Sequence, residues 1–331
     1  MLLKEDLVLR AQLWNDVRTS IHHFFASRGY LNVETPLIVR SPGMEPNLDP
    51  VGVEVKLLDG VSHRGGLITS PEYSMKKLLG AGLEKIYTLT PVFRNVENMG
   101  ERWSVEFTML EWYQQGQDYE ACMQETEELV NSILVTTPSS SPLAGGEATH
   151  WPRISYTESF NKYFGFYPHE ATTEFVGEVA RKYNYDISKY NSVALAVADL
   201  FQWHIMPRLE SEFPRFFLKE YPVAEAALAQ KNPDGRSAQR FEAYVNGLEI
   251  CNGFTELVDP VEQRARFMAE AEERRRAGKE VFPIDEELLN GLASVRSPSF
   301  GNALGVDRLV MLKAGVKNID AIHLFPPSQR F

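Results

Sequence analysis

Two runs rich in β-branched and aromatic residues, 86–94 and 105–114, enclose a polar loop within the stretch 93–113, FRNVENMGERWSVEFTMLEWY. Side chains of this kind favour strands, and a polar break between two such runs folds them into an antiparallel pair. That excludes an all-helical fold. It also creates a flat surface with an arginine, Arg94, at its end and Asn95, Glu97, Asn98, Glu101 and Arg102 at its tip. A strand pair so decorated can hold an anionic cofactor. The same residues would equally make a surface ion pair between Arg94 and Glu97 on an ordinary hairpin. On the second strand the two-residue period puts Glu111 and Tyr113 on one face.

A chain of 331 residues can hold one large domain or two ordinary ones with ample core. Its hydrophobic fraction of 44% and charged fraction of 24% are those of a soluble globular protein. No apolar run approaches the ~18 residues of a membrane span. The amino terminus, MLLKEDLVLR, interrupts with charge what would be a signal peptide's apolar core. Cys122 and Cys251 are the only cysteines and lack metal-ligand spacing. These features point to the cytoplasm. A net charge of −11 argues against a dedicated nucleic-acid binder, which needs clustered Lys and Arg.

Residues 4–28 carry Leu9, Leu13, Val17, Ile21 and Phe24 at helical spacing, with Gly29 as the natural terminator. RGYLNVETPLIV, from Arg28, reads as a helix end and a short strand. Pro36 suits an edge or interface rather than a sheet centre. Residues 41–50, SPGMEPNLDP, form a turn-rich loop, and 51–58 a strand. Residues 67–79 run from strand into helix, with Ser70 as N-cap, Pro71 at the first helical position and Glu72 in the first turn. On local grounds Glu72 compensates the helix dipole. A helix is expected over 119–134, and a flexible loop over 136–149. The 151–215 stretch reads as helical pieces rich in aromatics without a catalytic constellation, His204 being a packed histidine.

In FEAYVNGLEICNGFTEL, residues 241–257, Asn246-Gly247 signals a two-residue hairpin turn. Tyr244 then faces Glu249, and Glu242 faces Cys251. Glu242, Tyr244 and Glu249 share one face, with the two carboxylates diagonal neighbours. They would repel unless a cation lies between them, or they are simply solvated. Asn252 would point away from Glu249 in a regular strand, so a bulge is expected near Asn252-Gly253. Asp259 and Pro260 open a helix to about residue 277. Finally FGNALGVDRLVML, 300–312, leads through glycines and a small alanine into an amphipathic helix bearing Asp307 and Arg308 in its first turn. Small residues let a backbone or a nucleotide approach closely.

Three of these stretches, in order, resemble the three motifs of class II aminoacyl-tRNA synthetases: RGYLNVETP the first, the 93–113 stretch the second, GNALGVDRL the third. SPEYSMKKLL, EFTMLEWY and RFEAYVNGLEICNGFTEL sharpen the likeness to the lysine-type catalytic core, from near residue 5 to the C terminus. The resemblance implies an α+β fold, a single class II catalytic domain over 1–331 with an antiparallel sheet flanked by helices. The chain begins on the first helix of that core, leaving no room before it for an OB-fold anticodon domain. That, with SPGMEPNLDP, the AALA of 226–229, Ser70 and Ala303, resembles the elongation factor P–(R)-β-lysine ligase family, which modifies a protein lysine instead of tRNA.

What the resemblance implies is activation of (R)-β-lysine or lysine by ATP with Mg²⁺, and transfer to elongation factor P. Arg94 would hold the α-phosphate and the substrate carboxylate, and Arg308 the γ-phosphate. Glu97, Glu106 and Gly305 would belong to the ATP site. Glu242 and Glu249 would bind Mg²⁺. Ser70, Glu72, Glu111, Tyr113, Asn252, Glu256 and Ala303 would line the amino-acid pocket. A homodimer through the region between Arg28 and Pro36 is expected, with neither tRNA nor membrane as partner. Two departures stand out. Where the family has His-Asn-Pro-Glu-Phe the chain reads Trp103-Ser104-Val105-Glu106-Phe107, and Arg94-Asn95-Val96-Glu97 is longer than the synthetase's Arg-Asn-Glu. The alternatives are a freestanding lysine-activating enzyme charging tRNA or another carrier, and a non-catalytic regulatory synthetase paralogue.

Overall fold

The computed structural model describes residues 3–95, 101–134, 150–183, 192–226 and 228–330. Glu97, the 136–149 segment and Ala227 lie outside the described residues. The chain divides into two compact units, Met1–Thr149 with Glu256–Phe331, and His150–Thr255. Among the described residues no helix is long and apolar enough to cross a membrane.

Helix α1 (Lys4–Ser27) buries Val17, Ile21, Phe24 and Phe25. Leu9, part of the periodic stripe, stays exposed, so only the C-terminal half of that face enters the core. Gly29 follows with φ 75°, the left-handed conformation a helix-terminating glycine adopts without strain. The first unit continues with β1 (Leu31–Asn32), β2 (Ile38–Val39), β3 (Gly52–Lys56), β4 (Ser62–Leu67), α2 (Glu72–Gly80), β5 (Lys85–Phe93), β6 (Glu106–Gln115) and α3 (Tyr119–Leu134). The second unit holds β7 (Arg153–Ser155), α4 (Tyr156–Phe164), α5 (Thr173–Lys182), α6 (Val193–Leu200), α7 (Met206–Glu212), β8 (Arg215–Pro222), β9 (Ser237–Val245) and β10 (Leu248–Thr255). The first unit then closes with α8 (Pro260–Arg276), α9 (Glu286–Leu292), β11 (Ser299–Gly305) and α10 (Val306–Ala314).

In the first unit β1 lies parallel to β5, and β6 joins β5 to β11 in antiparallel register. Strands β2, β4 and β3 form a separate antiparallel sheet. Burial runs through consecutive residues of β5 and β6 because both faces are covered; on one, Phe25 of α1 stacks on Tyr87 with ring centroids 4.7 Å apart and lies 5.4 Å from Trp112. Burying side chains of this size contributes about 1.5–3 kcal/mol each. Helix α2 sets Met75 and Leu79 against Ile86, Tyr113 and Val295. It meets α9 so closely that a Cβ on Gly80 would lie 2.6 Å from the Gly291 carbonyl oxygen.

In the second unit β7 is parallel to β8, while β8, β9 and β10 are antiparallel. Tyr156 stacks on Phe201 at 3.7 Å within a core that includes Phe160, Leu200, Ile205, Phe216 and Leu218. Between α6 and α7 the helix widens to a π turn, Phe201–Ile205. Pro207, at the start of α7, has no N–H to continue the α-helical ladder there. His204 packs against Tyr183 with centroids 4.3 Å apart, as a packed histidine should.

The β9–β10 hairpin pairs Val245 with Leu248 and Tyr244 with Glu249, as the Asn-Gly turn requires. The next pair differs from expectation. The extra residue enters between Glu249 and Cys251, so Cys251 pairs with Ala243 and Asn252, not Cys251, lies opposite Glu242. An inserted residue reverses the alternation, which brings Asn252 to the face of Glu249 two positions earlier than a bulge at Asn252-Gly253 would.

Candidate active site

Strands β6 and β11 build one wall of a buried acidic pocket in the first unit. Their register sets Glu111 opposite Ala303 and Tyr113 opposite Gly301, so these four residues share a face. Both Glu111 oxygens accept hydrogen bonds, one from the Ser70 hydroxyl and the other from the Tyr113 phenol at 2.9 Å. Helix α2 begins at Glu72, one residue later than expected, with Pro71 just outside it. Ser70 still serves the helix start, its oxygen accepting the Glu72 N–H at 3.1 Å, but its hydroxyl proton goes to Glu111. Glu256, whose N–H bonds the Ser299 carbonyl at the head of β11, completes the set. Glu111 and Glu256 are at most 1% exposed.

Carboxylates placed this close and this dry resist ionising. Burial, reinforced by the charge of Glu72, pushes Glu111 up to about 8. Burial also raises Glu256, against the opposing pull of Lys76. Burial and the surrounding carboxylates keep the Tyr113 phenol protonated, so it is a donor here. The local expectation for Glu72, dipole compensation, gives way to an ion pair: its carboxylate lies 2.6 Å from the Lys76 ammonium one turn along α2.

The arginine expected to hold phosphate, Arg94, follows β5, with its Nε 3.4 Å from the Thr69 carbonyl and its guanidinium over the Phe107 ring at 5.3 Å. Arg308 lies in the first turn of α10, after Gly305 at the N-cap. Its guanidinium carbon stands 4.4 Å from the centre of the Trp103 ring. The residue that departs from the family pattern therefore stacks its π face under Arg308, the arginine expected at the γ-phosphate. Asp307 turns inward instead, accepting the Thr108 N–H at 2.7 Å and pairing with His323 at 2.8 Å. Glu106 is held by Arg330 at 3.0 Å.

The second unit brings Glu242, Glu249 and Asn252 to one face, around an arginine. Arg240 reaches Glu242 at 2.7 Å, the Asn252 side-chain oxygen at 3.2 Å and the Glu225 carbonyl at 2.5 Å, and Tyr244 donates to Glu242 at 2.7 Å. A cation does lie beside the carboxylates, and in this structure it is a guanidinium. Hard carboxylate oxygens are the donors Mg²⁺ takes, usually one or two beside phosphate oxygens, so Glu242 and Glu249 suit it. Among the described residues no group of three or more acidic, His or Cys side chains has metal-binding geometry.

Four residues of these clusters escaped the sequence reading. Lys76 and Arg240 stand in the very motifs quoted, but a lone basic residue beside acidic ones reads as a surface pair until burial is known. Gly301 touches the pocket: a Cβ there would lie 2.2 Å from Glu256 Oε1 and 2.3 Å from Tyr113 Cε1. Glu45, in the turn-rich loop, buries a carboxylate oxygen without a hydrogen-bond partner among the described residues. Burial first and Glu72 second raise its pKa, with Arg94 opposing.

An antiparallel sheet carrying a buried acidic pocket, with Arg94 after β5 and Arg308 at the start of α10, agrees with the expected class II core. The family model described as tRNA synthetases class II (D, K and N) matches residues 2–329. The elongation factor P–(R)-β-lysine ligase of Salmonella paratyphi A (strain ATCC 9150 / SARB42) is 36% identical over 318 residues, covering 93% of this chain and 92% of its own. The ligases of that name from Salmonella paratyphi B and Salmonella heidelberg are 35% identical over 329 residues, covering 97% of this chain and 94% of theirs. The chain belongs to the class II tRNA synthetase family of the D, K and N type and, within it, to the family of elongation factor P–(R)-β-lysine ligases. Use of ATP comes with that family.

Proposed function

We propose that the chain is an AMP-forming ligase that activates (R)-β-lysine, or lysine, as its adenylate and passes the acyl group to a lysine side chain of elongation factor P. The observation that carries this reading is the pocket of Glu72, Glu111 and Glu256. Buried carboxylates are tolerable only beside buried cations, and a diamino acid brings two. Ser70 and Tyr113 orient Glu111. Ala303 stands across the sheet from it.

Activation is attack of the substrate carboxylate on the α-phosphorus with departure of pyrophosphate, a displacement that needs positioning and charge more than a protein base. Arg94 serves the α-phosphate and the incoming carboxylate. Arg308, braced by Trp103, offers a planar fork to phosphate oxygens. Glu97, Glu106 and Gly305 belong to the nucleotide site. Glu242 and Glu249 would hold Mg²⁺, which neutralises phosphate charge when bound, and Asn252 on the same face would serve as an amino-acid ligand. In the second step the acceptor ε-amine attacks the activated carbonyl and AMP leaves.

The reading extends to a single catalytic domain over 1–331 acting in the cytoplasm. Cys122 and Cys251 are buried free thiols, which suits a reducing compartment. It also includes a homodimer through the region between Arg28 and Pro36, where Leu31 stands 60% exposed on the short strand β1. tRNA is not the acceptor.

ATP–pyrophosphate exchange with (R)-β-lysine and with L-lysine, followed by transfer assays on elongation factor P and on tRNA, tests the proposal. Exchange with neither amino acid overturns the enzyme reading. Preference for L-lysine with transfer to tRNA alone overturns the acceptor.

A further inference from the structure

Lys76 is 1% exposed, and its ammonium lies 2.6 Å from Glu72 and 2.5 Å from Glu256. Two of the carboxylates read above as substrate ligands are thus already joined by a cation from the chain itself. Glu111 is occupied by Ser70 and Tyr113. That leaves Glu256 Oε1, which is buried without a hydrogen-bond partner among the described residues and sits where a Cβ on Gly301 would intrude. Once a bound ammonium has drawn the proton from Glu111, the three carboxylates Glu72, Glu111 and Glu256 set against one ammonium leave a charge of two to be balanced. A diamino acid brings two ammonium groups; a monoamino acid brings one.

We propose that Lys76 is a specificity-determining residue, a resident counter-ion that holds Glu72 and Glu256 as charged acceptors for the two ammonium groups of a diamino acid. This rests on the functional reading above. Burial would drive a lone lysine toward neutrality, but Glu256 and Glu72 outweigh it and keep the ammonium charged. Lys76 touches no reacting atom. It acts through Glu72 on its own helix and Glu256 on the facing chain; Glu111 and Tyr113 face the same cluster from β6. Glu45 and Glu270 also face Glu72, burial and the neighbouring carboxylates holding both toward the neutral acid, and Arg94 opposes this at Glu45. Without Lys76, Glu72 and Glu256 repel each other, and a proton takes the ammonium's place at neutral pH. The diamine then loses a charged acceptor, while a monoamino acid loses little.

The test compares wild type with Lys76→Met, which keeps length and removes charge, with Lys76→Gln as a second neutral variant and with Lys76→Arg. Exchange rates are read with (R)-β-lysine and with 3-aminohexanoic acid, its counterpart lacking the ε-amine, from about pH 6.5 to 9.5. The neutral variants are expected to raise KM for (R)-β-lysine at least about tenfold while kcat changes no more than about threefold. They are also expected to narrow the preference for the diamino acid and to move the pH at which KM improves upward by about a unit. Lys76→Arg should retain the preference. A folded neutral variant that matches wild type in KM, preference and pH profile overturns the proposal. So does a Lys76→Arg that loses the preference as fully as the neutral variants, and this arm decides if neither of those folds. If wild type exchanges with no diamino acid, the functional reading falls and the proposal with it. If wild type does and the variants match it, the proposal alone falls.

Discussion

The guanidinium of Arg308 rests on the indole of Trp103, 4.4 Å from the ring centre, and Trp103 is itself 42% exposed. Such a contact is worth about 0.5–2 kcal/mol, and on the proposed role of Arg308 it would hold a phosphate-directed fork in place before ATP arrives. Trp103→Ala should therefore raise KM for ATP by about three- to tenfold with a smaller change in kcat. Trp103→His, which restores the residue usual in the family, should fall between the two. Steady-state exchange at varied ATP decides it; an unchanged KM in Trp103→Ala would show that the stacking does not prepare Arg308.

The acidic pocket makes amino-acid binding depend on pH. In the free protein Glu111 keeps its proton up to about 8, because burial and Glu72 disfavour the charge. A bound ammonium favours the carboxylate, so binding must release that proton. Affinity should rise as pH increases toward 8 and level off above it, until the substrate amines themselves deprotonate. Glu256 is also raised by burial, but Lys76 pulls it back toward the charged form, so the limb is assigned to Glu111. Calorimetry of (R)-β-lysine binding in two buffers of different ionisation heat reads the released proton directly. Binding at pH 7 without proton release would contradict this account.

Gly301 owes its place to side chains rather than to backbone freedom. A single methyl there would lie 2.2 Å from Glu256 Oε1 and 2.3 Å from the Tyr113 ring, far inside contact distance. Gly301→Ala should raise KM for the amino acid by at least about tenfold, as overpacking of about 1–3 kcal/mol displaces both groups. ATP binding, proposed to rest on Arg94 and Arg308, should persist, and nucleotide titration by fluorescence would show it. Equal loss of both affinities would mean that the strand, not the pocket, is disturbed.

How far the chain could be read before its structure differs between backbone and pocket. The paired strands β5 and β6, helix α1 with its Gly29 terminator and the Asn246-Gly247 turn follow from period and turn chemistry that are local in sequence. The shared face of Glu111 and Tyr113 is local too. What was not legible depends on partners far along the chain. Lys76 meets Glu256 across 180 residues, and the orientation of Trp103 toward Arg308 needs both β6 and α10. The bulge expected near Asn252-Gly253 lies instead between Glu249 and Cys251, a packing decision that alternation cannot locate.

Arg240 and Glu249 separate structure from metal binding in the second unit. Arg240 joins Glu242, Asn252 and the Glu225 carbonyl and stacks over Tyr221 at 4.4 Å. Burial opposes its charge, yet Glu242 and its neighbours outweigh burial and raise the pKa, so it stays a cation. Arg240→Met strands Glu242 without its partner, a loss of about 3–5 kcal/mol. At about 2–4 °C per kcal/mol for domains of this size, melting should drop by roughly 6–20 °C. Glu249 faces Tyr244 across the hairpin and adds its charge to the field that keeps Arg240 a cation. Glu249→Gln keeps the shape and the side-chain oxygen, and Arg240 retains Glu242, so its melting loss should be smaller than that of Arg240→Met. If Glu249 holds Mg²⁺ for the nucleotide, the concentration giving half-maximal exchange should rise about tenfold, because a neutral amide is a poorer ligand than a carboxylate for a hard cation. Metal titrations on both variants, with melting curves beside them, give four readings. An unchanged Mg²⁺ requirement in a folded Glu249→Gln would remove the metal from this face and leave Arg240 as its resident cation.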